Sequence, residues 1–296
     1  MSTTVTLTGT GVPHPAPGRA GAGALVRYGD IALQFDAGRG TVIRLAEADC
    51  SPVALSALFV THYHSDHVVD LADVTMTRWI QQQVMQTGPL RIVTPQGCAL
   101  EYVQHMLDPY HDDIEVRMEH VGAGFPGLEI IDFAAPIEPI EVWRSDDGAV
   151  RVSAVAVHHE PVRDAVAYRV DTPDGAVVIS GDTRACREVF ELARGADVVV
   201  HEACRATALA ERVKGTVFET IFSYHADTVA LGALAEEHAV PHMLLTHMIP
   251  APKDEADEER FVADLRRGGY TGPVTAGRDL DVFEINAGSS TLTRRR

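Results

Sequence analysis

The chain has 296 residues, 46% of them apolar, which is enough for a real core in one large domain or two modest ones. Forty-two acidic residues against 25 basic ones give a formal charge of −17, so a polyanion is repelled unless basic residues gather on one face, and nucleic acid is disfavoured as a partner. No stretch approaches the roughly 18 uninterrupted apolar residues of a membrane span, the start MSTTVTLTGTG lacks a signal-peptide pattern, and the four cysteines form no CxxC, so a soluble, cytoplasmic protein with reduced and mostly core thiols is expected.

In chain order, GTGVPHP (9–15) has neither GxGxxG spacing nor a Walker lysine, which leaves a nucleotide-loop reading weak. Short β-branched apolar runs predict strands at 31–36, 57–62, 90–95, 151–159, 176–182, 197–202 and 242–247. Amphipathic segments predict helices at 67–86, 97–107, 186–194, 227–238 and 254–267, the last ending at a Gly-Gly stop. Between them, 120–150, with AGFPG and RSDDGA, reads as looser connections and hairpins. There is no linker, repeat or low-complexity tract, so residues 1–296 are expected to form a single α/β domain, with 290–296, including the Arg294–Arg296 run, as a mobile tail without function.

Five of the predicted strands end in, or are followed at once by, an ionisable ligand-type residue: His62, His159, Asp182, Glu202 and His247. Side chains at strand ends stand on a rigid frame yet face a loop-lined cleft. The densest group is HYHSDH, where His62, His64, Asp66 and His67 lie at offsets i, i+2, i+4 and i+5 between a strand and a helix. Imidazole and carboxylate suit zinc, manganese or iron, and on a turn they can surround an ion from more than one side.

HYHSDH resembles the HxHxDH motif of the metallo-β-lactamase superfamily, and VSAVAVHHEPVRDAVAYRV, ISGDT and LLTH follow in that family's order. The resemblance implies a four-layer αββα sandwich. It also implies two divalent metal ions, Zn2+ first and Mn2+ or Fe as alternatives. His62, His64 and His159 would hold one ion, Asp66, His67 and His247 the second, and Asp182 would bridge them. Of the adjacent His158 and His159, alternate residues of a strand face opposite ways, so one alone is a ligand; the spacing to AYRV favours His159. Asp36 of FDAG is either a supporting aspartate near the metals or a turn residue. GTGVPHP resembles the glycine-rich turn lining the cleft. His14 and His111 are open between substrate contact and ordinary surface roles, and Trp79 is expected to pack in a helix.

VVVHEA (198–203) and SYHADT (223–228) resemble the ribonuclease Z and arylsulfatase-like branch, which implies a relay from Glu202 to His225 at the leaving group. The glutamate of the diiron oxygen reductases is absent at His64, and the cysteine of the main zinc β-lactamase class is absent at Asp182. Only residues 160–181 separate His159 from Asp182, leaving no room for the tRNA-gripping arm of bacterial ribonuclease Z. The expected activity is therefore hydrolysis of a small-molecule ester by a metal-bridging hydroxide, with Asp66 orienting the nucleophile and His225 protonating the leaving oxygen. Phosphodiesters come first and aryl sulfates next. The alternatives are a ribonuclease Z-like endonuclease, a lactonase-type acyl hydrolase and, last, a non-catalytic metal-binding protein. The oligomeric state stays open, a homodimer included.

Overall fold

The computed structural model describes residues 2–85, 87–286 and 289–294. In chain order its elements are β1 (Thr3–Gly9), β2 (Gly23–Tyr28), β3 (Ile31–Phe35), α1 (Thr41–Glu47), β4 (Ala57–Phe59), α2 (Ser65–Val68), α3 (Leu71–Met85), β5 (Leu90–Pro95), α4 (Cys98–His105), α5 (His111–Val121) and β6 (Leu128–Phe133). There follow β7 (Ile140–Arg144), β8 (Arg151–Ala156), β9 (Val166–Thr172), β10 (Gly175–Ile179), α6 (Arg187–Leu192), β11 (Val198–Cys204), α7 (Ala206–Val213) and α8 (Val217–Ser223). The chain closes with α9 (Thr228–Glu237), β12 (Met243–Ile249), α10 (Glu255–Arg267), β13 (Val274–Ala276), β14 (Val282–Asn286) and β15 (Ser289–Thr293).

Two sheets form. One runs β15-β14-β1-β2-β3-β4-β5-β6 and the other β13-β12-β11-β10-β9-β8-β7. The uninterrupted apolar strands are explained by their two buried faces, since neighbouring side chains point opposite ways. Val177 and Ile179 of β10 face the core between the sheets, while Ala176 and Val178 face the helices outside. Phe59 of β4 enters the same central core and Leu58 the outer one beneath α3 and α4. Tyr168 of β9 joins the sheets by packing against Phe35 and Phe59, its hydroxyl donating to the Val60 carbonyl at 2.7 Å. Helix, sheet, sheet and helix are thus stacked in the expected four-layer α/β sandwich.

β3, β4, β5 and β6 run parallel in the first sheet, as do β10, β11, β12 and β13 in the second. Their carboxyl ends are where an α/β fold opens a crevice. Asp36, His62 and Asp182 lie just past such ends, and His247 lies within the last three residues of β12.

Several expectations are corrected. Predicted helix 67–86 is two helices, because the Asp70 N–H donates to the Ala37 carbonyl and the Ala37 N–H donates to the His67 carbonyl, turning the chain between α2 and α3. Its predicted end at Gln86 lies outside the described residues. The 120–150 segment carries β6 and β7, edge strands whose exposed faces dilute the apolar signal. The supposed tail at 290–296 is paired to β14 through Thr293, and Arg294 donates to the Ala276 carbonyl at 3.1 Å; Arg295 and Arg296 lie outside the described residues. Cys50, Cys186 and Cys204 are buried free thiols and Cys98 is exposed. Among the described residues no helix is long and apolar enough to cross a membrane.

Candidate active site

Strand β4 ends at Phe59 and the chain turns through His62–His64 into the single turn of α2, which carries Asp66 and His67. That turn packs against the β3–α1 loop so closely that a Cβ on Gly38 would strike the Asp66 carbonyl. From the other sheet, the Ser180–Asp182 turn after β10 brings in Asp182. Gly181 takes φ 59° there, and a Cβ would lie 2.8 Å from Thr61 Cβ. His159 follows β8 and His247 sits within β12 at φ 41°, a conformation a bulky residue adopts only when its surroundings impose it.

These side chains converge in one cluster. His62, His64, His159 and Asp182 place one ligand atom each within 4.8 Å of one another, as do Asp66, His67 and His247. Asp182 lies against both groups: its Oδ1 is 3.3 Å from His67 Nε2 and its Oδ2 is 3.5 Å from His247 Nε2 and 3.8 Å from His159 Nε2. His159, not His158, faces this cluster, while His158 turns outward to Glu188 at 3.0 Å.

Whether these residues fit metal ions can be judged from their polar atoms. Among the described residues, His62 Nε2, His67 Nε2 and Asp182 Oδ1 are buried without a hydrogen-bond partner, a costly state unless something else satisfies them. His159 Nδ1 donates to the Tyr224 carbonyl at 3.1 Å, leaving Nε2 with a lone pair aimed at His64 Nδ1, also 3.1 Å away. Two facing imidazole nitrogens at that separation match the roughly 3.3 Å between tetrahedral ligands of one zinc-sized ion. His67 Nδ1 is held by Asp36 Oδ2 at 2.7 Å, the hydrogen bond that fixes a ligand imidazole's tautomer. The donor set fits divalent cations.

The charges agree. Burial, with neighbouring imidazoles, pushes His62 well below the usual imidazole range and His64 down to about 4, and burial lowers His159 also, so all three offer neutral nitrogens at pH 7. His67 is equally buried, yet Asp182, Asp36 and Asp66 outweigh that penalty and raise it well above the ordinary value. Three carboxylates so close around one imidazole make a field that favours a cation.

Beside the cluster stands the predicted pair. His225 Nδ1 lies 2.8 Å from Glu202 Oε1. Burial opposes a charge on His225, but Glu202 and then Asp182 hold its pKa up to about 9. With Nδ1 committed to Glu202, Nε2 is the nitrogen left to deliver a proton. Asp182, His225 and His247 also lie within metal-ligand reach of one another.

Other candidates fall outside this cluster. His14 is exposed near Phe218, with ring centroids 6.3 Å apart, and His111 is an exposed residue of α5 beside Asp112 and Glu115. Trp79 is packed, its Nε1 donating to the Gly124 carbonyl. Asp36 is no mere turn residue, since it also accepts from the Thr61 amide and hydroxyl at 2.8 Å each. Two participants escaped the sequence. Thr61 links Asp36 to His62 Nδ1, a role its place beside the motif could have suggested; Tyr224 acts through its backbone carbonyl, which leaves no sequence signal.

Comparison with known proteins agrees with this geometry. Residues 34–248 match the Beta-lactamase superfamily domain. Proteins named Ribonuclease Z from Mycobacterium sp. (strain KMS) and Mycobacterium bovis (strain BCG / Pasteur 1173P2) are 37% and 33% identical to the chain. These alignments cover 96% of this chain and 96% of the first relative, and 95% and 98% for the second. In structure, the metallo-beta-lactamase fold protein YhfI from Bacillus subtilis superposes with a TM-score of 0.72 at 18% identity, over 96% of this chain and 100% of its own. Human tRNase Z, short form, gives 0.64 at 20%, over 95% and 99%; these two likenesses concern the fold alone. The expectation that nucleic acid is disfavoured as a partner is overturned. Relatives carrying a ribonuclease name are matched over nearly their whole length, so the missing arm does not set this chain apart from them, and net charge says nothing of how charge is distributed over a surface. The chain belongs to the beta-lactamase superfamily and is a metal-dependent hydrolase of the metallo-β-lactamase fold acting on ester bonds.

Proposed function

We propose that the chain is a ribonuclease Z-type endonuclease that hydrolyses a phosphodiester bond of RNA with two divalent metal ions, zinc first among them. The observation that carries this reading is the Glu202–His225 pair, joined at 2.8 Å and set against Asp182 at the edge of the ligand cluster. The names of the relatives support the RNA substrate.

His62, His64 and His159 would hold one ion, Asp66, His67 and His247 the other, with Asp182 shared. When bound, the ions supply Lewis acidity at phosphorus and lower the pKa of water from about 15.7 towards neutrality. The remaining steps belong to the chain. A water oxygen forms a new bond to phosphorus while the bond from phosphorus to the leaving oxygen breaks. Asp66, whose Oδ2 lies 3.1 Å from His247 Nε2, orients the attacking water and takes its proton. His225 gives the Nε2 proton to the departing oxygen, and Glu202 stabilises the imidazolium before transfer.

The test is incubation of metal-loaded protein with a precursor tRNA bearing a 3′ extension, beside bis-p-nitrophenyl phosphate, an aryl sulfate and a homoserine lactone. One discrete RNA cut and about two metal ions per chain are expected. Turnover of bis-p-nitrophenyl phosphate without RNA cleavage would leave a phosphodiesterase and remove the ribonuclease. A winning sulfate or lactone would remove both.

A further inference from the structure

We propose that a cavity beside the Glu202–His225 pair binds a nucleotide of the leaving strand; the assignment rests on the phosphodiesterase reading above. The cavity, of about 460 Å³, is lined by Arg205, Arg212, Phe218, Phe222, Lys253 and Arg260, among others. That volume is in the range of small-ligand sites, about 300–1,000 Å³.

Its walls continue the elements that carry the catalytic groups. Arg205 lies three positions after Glu202, Phe222 three before His225, and Pro250, another wall residue, three after His247. Backbone bonds lock these segments together: Arg205 N–H to the Ile249 carbonyl at 2.9 Å and Cys204 N–H to the Ala226 carbonyl at 2.7 Å. Three residues span at most about 10 Å, so a strand cut at the metal cluster reaches this cavity within a few nucleotides. It flanks the proton donor, and the strand that receives the proton is the one that leaves.

The lining combines the two elements that hold single strands, cations along the backbone and rings under the bases. Four cations face one lining carboxylate, Asp257, in a chain whose net charge is strongly negative. Arg260 is paired to Asp257 at 2.6 Å, and Arg205 to Asp264 at 2.6 Å while stacked over Phe261. Among the described residues the exposed side chains of Arg212 and Lys253 have no ion-pair partner, which leaves both for phosphate oxygens. Phe218 is 42% exposed and sits edge-on to the buried Phe222, ring centroids 6.2 Å apart. An exposed ring held in place by a buried one is a platform on which any base can stack. Stacking on a ring and pairing of phosphates with cations do not depend on base identity, so this recognition tolerates sequence.

The test is fluorescence anisotropy of the metal-loaded protein with a labelled single-stranded oligoribonucleotide whose phosphorothioate linkages resist hydrolysis. Arg212→Glu with Lys253→Glu is expected to weaken binding at least about tenfold and to reduce the salt slope by about 1.4, roughly 0.7 for each phosphate no longer neutralised. Phe218→Ala is expected to weaken binding about tenfold with the slope kept. Arg117→Glu with Arg144→Glu makes the same charge change on other surfaces and should alter binding less than about twofold. Undiminished binding by the first double variant, an equal loss in the second, or equal displacement by polyglutamate would each overturn the assignment. Cleavage is read separately. Weakened binding without RNA cleavage by the wild type keeps the nucleotide cavity and removes the ribonuclease; RNA cleavage with binding unchanged by Arg212→Glu and Lys253→Glu does the reverse.

Discussion

Oxygen Oε1 of Glu202 accepts two hydrogen bonds, one from His225 Nδ1 at 2.8 Å and one from the Thr183 amide at 2.9 Å. Thr183 follows Asp182, so one buried carboxylate positions both the imidazole proposed to deliver the proton and the turn that carries the proposed shared metal ligand. Glu202→Gln should therefore harm reactions that need a protonated leaving group. With an RNA or alkyl phosphodiester, kcat is expected to fall about 10² to 10⁴-fold. The loss with bis-p-nitrophenyl phosphate, whose phenolate leaves unaided, should be far smaller. Equal losses on both substrates would take the pair out of leaving-group protonation.

Asp36 supports the candidate metal cluster without belonging to either proposed ligand group. Its carboxylate accepts from His67 Nδ1 on one oxygen and from the Thr61 amide and hydroxyl across both, in a conformation with φ 55°. Asp36→Asn keeps the shape but gives up the charge that fixes the His67 tautomer. Metal affinity, measured by competition with a chromophoric chelator, should weaken about 10- to 100-fold while the circular dichroism spectrum is kept. Unchanged affinity would make Asp36 a purely structural turn residue.

The convergence of the candidate site was largely legible because it is built from rare side chains at strand ends. His62, His64, Asp66 and His67 announce themselves by spacing, and Asp182 and His247 by ending apolar runs that can only be buried strands. What was hidden depends on exposure. α5 buries Ile114 alone and α7 buries no residue, so neither packs an apolar face into the core. β6 and β7 are edges whose outward residues break the pattern. The basic lining of the leaving-side cavity is also invisible in sequence, since Arg205, Arg212, Lys253 and Arg260 are scattered among acidic residues and meet only when α7, α8 and α10 fold together.

Gly181 tests how tightly the two sheets are joined at the cluster. Its φ of 59° is open to glycine at little cost, and a methyl group there would press on Thr61 at 2.8 Å. Gly181→Ala must move either Asp182 or Thr61, and each touches a ligand group. A loss of stability of roughly 1–3 kcal/mol is expected, together with weaker metal binding. A variant as stable and as tight for metal as the wild type would show that the turn has slack.

His242 gives a pH dependence separate from the metals. It lies just before β12 with Nε2 against Thr275 Oγ1 at 2.9 Å and its ring edge-on to Phe283. Burial lowers its pKa to about 4. Between the ordinary imidazole value of about 6.5 and that value, the unfolded chain binds a proton that the folded chain refuses, so stability falls as pH drops through this window and levels off below it. His242→Gln can keep the bond to Thr275 and cannot titrate. Urea midpoints should therefore drop less for the variant than for the wild type between about pH 7 and about pH 5. Parallel acid losses in the two proteins would mean that other groups set the acid limb, and a steeper loss in the variant would reverse the sign of the argument.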